Sequence, residues 1–172
     1  RGTASASGVA QAIAAGFSAP DLEVVFMPLA DGGEGTLDAL GGANRITQVT
    51  GPLGDPVEAK WRLSSGEAVI EMAQASGLLL AGGSEGNDPL SASSSGTGEL
   101  IAEARASGAR RIVIGVGGSA STDGGLGAIR AMEPLVRFSA IELVVACDVQ
   151  TKFLDAASVF GPQKGATSAQ TE

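Results

Sequence analysis

Glycine-rich or acidic turns that directly follow apolar, strand-like runs constrain this chain more than any other feature. They occur after residues 22–29 (LEVVFMPL), after residues 111–116 (RIVIGV), and after residues 141–147 (IELVVAC). In open α/β sheets, ligands bind beyond the carboxyl ends of the strands. Glycine lets the backbone approach a ligand and direct N–H groups at it, which suits phosphate, while acidic side chains suit a metal ion or a hydroxyl. The pattern predicts an α/β enzyme that handles phosphate.

Helical patterns alternate with apolar runs, which predicts a largely parallel, doubly wound sheet with helices on both faces. The predicted helices are 5–17 (capped by Ser5 or Ser7), 34–40, 98–107, 125–132 and 151–160, and the predicted strands are 22–29, 45–50, 57–63, 68–72, 111–116 and 141–147. Consecutive strands in the middle predict a second, smaller α/β domain with a mixed sheet, preceding a loop over residues 81–95. We expect residues 1–50 and 141–172 to belong to one domain and residues 51–140 to the other.

The composition excludes several classes of function. The formal charge of −8 argues against a nucleic-acid partner, and no apolar run approaches the roughly 18 residues of a membrane span. The absence of histidine excludes Ser-His-Asp catalysis and His-based zinc sites. Cys147 is the only cysteine, which favours a reducing compartment such as the cytoplasm, and its place at the end of an apolar strand predicts a buried, inert thiol.

Two helix-opening segments are candidates for binding an anion through backbone N–H groups. In the first, Asp31, Gly32 and Gly33 precede a helix, and Asp31 either binds a metal or substrate hydroxyl or caps the helix together with Glu34. In the second, the serines before the helix and the residues at its start form either a phosphate or carboxylate cradle or an ordinary helix cap. The residues that start this helix are Gly96, Thr97 and Gly98.

The loop over residues 117–125 (GGSASTDGG) is the strongest candidate segment, because it is too rich in glycine for a simple connection. Gly117, Gly118 and Ser119 are candidates to hold phosphate, and Asp123 is a candidate metal ligand or general base. Asp148 emerges from a strand, where it either faces the ligand crevice or caps the next helix. Lys164 lies in a tight turn and either contacts phosphate or is an ordinary surface lysine. P-loop and protein-kinase motifs are absent, and Gly115-Val116-Gly117 lacks the rest of a dinucleotide fingerprint.

Five ordered segments together resemble the bacterial glycerate kinase family, of the glycerate 2-kinase type. They are residues 30–36 (ADGGEGT), 50–54 (TGPLG), 96–101 (GTGELI), 114–120 (IGVGGSA) with 123–125 (DGG), and 146–149 (ACDV) with 160–166 (FGPQKGA). Each segment is weak evidence alone, but the ordered set is specific and spans nearly the whole chain. Two departures are Arg1, where the family usually has lysine, and Ser121-Thr122, where it usually has Thr-Asn.

The resemblance implies two α/β domains and transfer of the ATP γ-phosphoryl group to D-glycerate with Mg²⁺, giving 2-phosphoglycerate or 3-phosphoglycerate. We then expect Asp123 to act as base or metal ligand, so that Asp123→Asn reduces turnover with little loss of folding. Asp148 and Asp31 are candidates for Mg²⁺ or substrate hydroxyls. Arg1 and Lys164 would offset phosphate or carboxylate charge.

Two alternatives stay open, and the resemblance adds two expectations about the chain. The alternatives are a non-catalytic α/β module that binds a phosphorylated metabolite, and a nicotinamide-dependent enzyme, which the incomplete fingerprint disfavours. Because the family's segment before the Cys-Asp strand and its further glycine-rich half are absent, we expect the chain to be incomplete. The candidate assembly is a homodimer.

Overall fold

The computed structural model describes residues 6–17, 23–27 and 29–171, and within them it has one five-stranded sheet. The strands are β1 Arg45–Thr50, β2 Pro56–Ser64, β3 Glu67–Glu71, β4 Arg111–Gly115 and β5 Glu142–Ala146. The helices are α1 Ala6–Ala15, α2 Thr36–Ala39, α3 Ala73–Ser76, α4 Gly83–Gly86, α5 Ser95–Ala106, α6 Leu126–Ala131, α7 Ala156–Phe160 and α8 Ser168–Thr171. Turns of 3₁₀ helix occupy Leu135–Phe138, Phe153–Asp155 and Pro162–Lys164.

The described strands form one mixed sheet, which confirms the mixed sheet predicted for the middle of the chain, whereas the prediction of a largely parallel sheet was wrong. The strand order is β1-β2-β3-β4-β5, with antiparallel pairing from β1 to β3 and parallel pairing from β3 to β5. The connections explain the difference. Short turns join β1 to β2 and β2 to β3, whereas helices lie between β3 and β4 and between β4 and β5, and only such long crossovers allow parallel neighbours. The α/β class is confirmed, and the division into two domains stays a prediction.

Helices cover both faces of the central strand β3. Ala68 and Ile70 point into a core that also contains Leu100 of α5, and Trp61 of β2 packs there at 1% exposure. On the opposite face, Val69 and Glu71 are also buried, and the Glu71 carboxylate accepts a hydrogen bond from Leu37 N of α2. Burial on both faces makes β3 the most enclosed strand of the described sheet.

Two apolar segments predicted as strands differ from the prediction: one forms no strand in its described residues, and the other is a partly exposed edge strand. Residues 23–27 and 29 form no strand and are exposed, while Leu22 and Pro28 lie outside the described residues. The strand predicted over 141–147 shortens to β5, where Leu143 and Val145 are exposed because β5 is the edge of the described sheet. Cys147 follows this edge and is exposed, so the prediction of a buried thiol was wrong.

Helix predictions differed mainly at their ends. Helix α5 begins at Ser95, three residues before the predicted start, and α4 lies within the segment predicted as loop. Ser7 lies inside α1 instead of capping it, and Ser5 is outside the described residues. The predicted helix over 151–160 is a 3₁₀ turn followed by α7. None of the helices in the described ranges is long and apolar enough to cross a membrane.

Candidate functional site

A cavity of about 480 Å³ opens at the carboxyl ends of β4 and β5, where the parallel part of the sheet predicts a ligand site. Its walls come from residues 116–119 after β4, residues 147–149 after β5, and a third group near the 3₁₀ turn Pro162–Lys164. Five of the predicted site residues therefore line one cavity, and they are Gly117, Gly118, Ser119, Asp148 and Lys164.

The turn over Asp31 to Gly33 packs directly behind the loop after β4. Gly117 N donates a hydrogen bond to Gly32 O at 2.8 Å, and a Cβ on Gly117 would lie 2.6 Å from the Cα of Gly33. A Cβ on Gly32 would overlap the carbonyl oxygen of Ala146 at the end of β5. The glycines are therefore required for close backbone packing, and the Gly117 N–H is used within the protein.

Asp31 does not cap the following helix. Its Oδ1 accepts a hydrogen bond from Gly33 N at 2.9 Å, and its side chain is exposed beside the packed turn. Helix α2 begins after Gly35, which has φ +95° and makes no side-chain cap. The donor at Leu37 N is instead satisfied by Glu71, from 34 residues away. Capping by Asp31 and Glu34 was therefore the wrong alternative.

The ammonium group of Lys164 lies against the glycine-rich loop. Nζ donates hydrogen bonds to Ser119 Oγ at 2.8 Å and to Ser121 O at 2.5 Å. Burial lowers the pKa of Lys164 from its ordinary value, and the negative charge of Asp123 partly offsets this effect. A half-buried lysine at the wall of a cavity is a source of positive charge for an anion.

Asp123 lies behind the cavity wall and not on its surface. Its Oδ2 accepts hydrogen bonds from Ser94 N, Ser94 Oγ and Gly127 N, and its Oδ1 accepts one from Gly125 N. Burial raises the pKa of Asp123, but these hydrogen bonds outweigh it and hold the pKa below its ordinary value. The carboxylate is thus an ionised anchor that joins the starts of α5 and α6.

The residues Gly96, Thr97 and Gly98 are packed inside the protein and do not line the cavity. A Cβ on Gly96 would overlap Thr50 O, and one on Gly98 would overlap Ala128 O. The Thr97 hydroxyl lies 2.9 Å from that of Ser76. The anion at the start of α5 is the carboxylate of Asp123, so the geometry does not place a phosphate cradle there.

The fit of a divalent metal depends on Asp148. Across residues 6–17, 23–27 and 29–171, no group of three acidic or cysteine side chains could hold a metal ion. Mg²⁺ in kinases is commonly bound by one or two carboxylates together with substrate phosphates and water. Asp148 is exposed at the cavity and suits that arrangement, whereas both oxygens of Asp123 already accept hydrogen bonds.

The sequence-based prediction missed Glu71 and Asn87, and it placed Ser94 in a possible anion cradle without its contact to Asp123. Arg1 lies outside the described residues. The sequence contained a signal for Glu71, because it is a carboxylate at the end of an apolar strand. In the structure it lines a second cavity of about 450 Å³. Leu78 lines the first cavity, and its N–H donates a hydrogen bond to Gly118 O at 2.8 Å. Ser94 and Asn87 act through contacts 29 and 33 residues away, respectively, which no local pattern reveals.

The fold and the cavity define an α/β protein with a candidate anion site at the ends of parallel strands. Comparison with known proteins narrows this class. A model of the glycerate kinase family matches residues 1–136. The chain belongs to the glycerate kinase family.

Individual relatives agree with this assignment. The chain is 43% identical to glycerate 2-kinase of Escherichia coli K12 over 206 residues, covering 96% of this chain and 53% of that protein. It is 41% identical to a glycerate kinase of Halalkalibacterium halodurans over 199 residues, covering 93% of this chain and 52% of that protein. A crystal structure assigned as glycerate kinase 2 from Salmonella typhimurium LT2 superposes with a TM-score of 0.75 at 39% identity, covering 88% of this chain and 51% of the other. The chain spans about half the length of the curated relatives it matches.

Proposed function

We propose that this chain takes part in transferring the γ-phosphoryl group of ATP to a hydroxyl of D-glycerate, with 2-phosphoglycerate as the product. The observation that carries the proposal is the Lys164 ammonium held against the glycine-rich loop, at the ends of two parallel strands, in a member of the glycerate kinase family. The relative named glycerate 2-kinase supports the 2-position over the 3-position.

Phosphoryl transfer depends mainly on positioning and on neutralising charge, and the cavity residues suit both tasks. Lys164 supplies positive charge beside the backbone of Gly118 and Ser119, which line the same wall. We assign these three residues to the transferred phosphate. Gly32 and Gly33 support this wall from behind through close backbone contact with Gly117, and Asp31 Oδ1 accepts a hydrogen bond from Gly33 N.

Asp148 is the carboxylate that the proposal places next to the reacting groups. It would hold Mg²⁺ that arrives with ATP, and this ion would supply additional charge neutralisation at the phosphates. In the absence of a bound ion, the same carboxylate can orient the acceptor hydroxyl. Asp123 holds the loop in place through its hydrogen bonds, and its negative charge acts on Lys164. Its role as a general base stays a prediction.

The proposal is tested with the purified chain, ATP, Mg²⁺ and D-glycerate. We expect release of ADP that depends on D-glycerate, and phosphorus NMR of the product distinguishes phosphorylation at the 2-position from the 3-position. Binding of ATP without ADP release on any hydroxy acid would favour the alternative of a non-catalytic phosphate-binding module. Failure to bind either ATP or D-glycerate would contradict the kinase proposal.

Lys164→Met tests the site itself. Loss of a charge-assisted hydrogen bond corresponds to about a 10- to 100-fold weaker affinity for ATP, measured by titration calorimetry. Lys152→Met is the matched control, because Lys152 is exposed and does not line the cavity. An unchanged affinity of Lys164→Met would remove this lysine from the phosphate site.

A cytoplasmic location and a homodimer complete the proposal. The single cysteine supports a reducing compartment. Light scattering of the purified protein measures the assembly, and a mass equal to that of one chain would rule out the dimer.

A further inference from the structure

The side-chain amide of Asn87 joins two segments that are far apart in the chain. Nδ2 donates hydrogen bonds to Ala120 O at 3.1 Å and to Lys164 O at 2.9 Å. Both hydrogens of the amide are used, and an inverted amide would turn its oxygen toward two carbonyl oxygens. We propose that Asn87 is the positioning residue that holds Lys164 against the glycine-rich loop.

Lys164 is held on this loop at both of its ends. Its backbone carbonyl is tied to Ala120 through Asn87, while its ammonium group bonds Ser119 and Ser121, the residues on either side of Ala120. A single loop therefore sets both the backbone position and the side-chain direction of the lysine. Loss of the Asn87 amide would remove the link from the Lys164 backbone to this loop and leave only the hydrogen bonds of the ammonium group between them.

Helix α4 provides the platform for this arrangement. Asn87 directly follows α4, and its N–H bonds Gly83 O of that helix at 3.1 Å. The residue after Lys164 is Gly165, with φ +91°, and a Cβ there would overlap the carbonyl oxygen of Ser84 in α4. The turn that carries Lys164 is therefore fitted to α4 by close backbone packing as well as by Asn87.

The Asn87 amide also has an energetic cost. Within the described part of the chain, its Oδ1 is buried and has no hydrogen-bond partner. A buried unpaired acceptor is unfavourable, so stability alone would favour a different residue. The two donated hydrogen bonds explain why an asparagine suits this position, since they orient a residue of the cavity. The positioning of Lys164 by Asn87 adds to the proposed function, and the contact of Lys164 with phosphate rests on that function.

Brief reductive methylation of the folded chain, followed by peptide mass spectrometry, tests the inference without an activity assay. The lysines of the sequence are Lys60, Lys152 and Lys164, of which the first two are exposed and serve as internal references. In the unaltered chain, Lys164 should react slowest. In Asn87→Ala, its rate relative to the references should rise by about tenfold, the factor expected for one buried hydrogen-bonding group.

Asn44→Ala is the matched control. Asn44 also makes two hydrogen bonds through its amide, to Leu63 O and from Leu63 N, both at 2.9 Å, and it does not line the cavity. This variant should leave the relative reactivity of Lys164 unchanged. A rise in Asn44→Ala equal to that in Asn87→Ala would overturn the inference, because the effect would then reflect general loss of stability.

Two further outcomes complete the test. Unchanged reactivity of Lys164 in folded Asn87→Ala would overturn the inference. If Asn87→Ala unfolds and exposes every lysine equally, Asn87→Ser replaces it, since one hydroxyl donates to at most one of the two carbonyls. Selective labelling of Lys164 in Asn87→Ser supports the inference, and equal labelling of all lysines contradicts it.

Kinetics separate this inference from the proposed function. If the unaltered chain phosphorylates D-glycerate, Asn87→Ala should raise KM for ATP about tenfold while kcat changes less, because the lysine is mispositioned and not lost. Selective labelling without any phosphorylation would support the positioning role and contradict the kinase. Phosphorylation of D-glycerate with unchanged labelling of Lys164 in Asn87→Ala would support the kinase and contradict the positioning role.

Discussion

Asp123 shows how tertiary contacts alter the interpretation of a single residue. Its sequence context suggested a base or a metal ligand, because it follows a strand within a glycine-rich loop. In the structure its carboxylate accepts hydrogen bonds from Ser94, Gly125 and Gly127, and Ser94 is 29 residues away. A local pattern contains no information about that partner, so the anchoring role was not predictable.

We therefore expect Asp123→Asn to lower stability as well as any activity. The substituted amide would turn an NH₂ group toward donors that now face an oxygen, at a cost of about 1–3 kcal/mol. Urea unfolding measures this change, and Asp55→Asn in the exposed turn after β1 is the control. Equal stabilities of the two variants would contradict the anchoring role.

The contribution of Asp123 to the free energy of unfolding depends on pH in a defined direction. The folded-state pKa of Asp123 is lowered, so its contribution is present above about pH 4, the ordinary value for aspartate, and is lost as the pH falls through the lowered pKa. The unaltered chain should lose this stability on acidification, and Asp123→Asn should lack that part of the loss. If the free energy of unfolding fell equally with pH in both proteins, Asp123 would not be the group responsible.

At the scale of elements, the loop after β4 and the turn before α2 form one unit. Gly117 allows the two backbones to touch, since a Cβ would lie 2.6 Å from Gly33 Cα. The sequence predicted a turn at both places, although residues 23–27 and 29 before the first turn form no strand. It did not predict that they pack against each other, since their contact depends on where the sheet brings the chain.

Gly117→Ala should separate these turns and weaken the cavity wall. Adding a methyl group to a well-packed contact lowers the free energy of unfolding by about 1–3 kcal/mol. We expect the affinity for ATP to fall as well, because the cavity wall is displaced. Gly125→Ala, in the same loop, is the control, because it has φ +81° and nothing within 4 Å of the added Cβ. Its backbone strain of about 1–2 kcal/mol should lower the melting temperature without changing ATP affinity. Retained affinity in Gly117→Ala would argue against coupled turns.

At the scale of the whole molecule, the strand order predicts how protection from solvent is distributed. Ile70 and Ile112 lie on the central strands β3 and β4 and are fully buried, whereas Val145 lies on the edge strand β5 and is exposed. Amide hydrogen exchange should therefore be slowest in β3 and β4 and faster in β5. Protection of β5 equal to that of β3 would show that another segment covers this edge in solution.

The sequence by itself determined the α/β class, most element positions, and five residues that line the cavity. Gly117 to Ser119 and Asp148 follow strands, and Lys164 lies in a turn. These follow from local periodicity and from the tendency of ligand sites to gather beyond the carboxyl ends of strands. Tertiary structure alone decided that all five strands join in one sheet, that β5 is its exposed edge, and which roles Asp123 and Asn87 have. The reason is physical: strand pairing and long-range hydrogen bonds depend on which segments meet in space, and neither leaves a periodic signal along the chain.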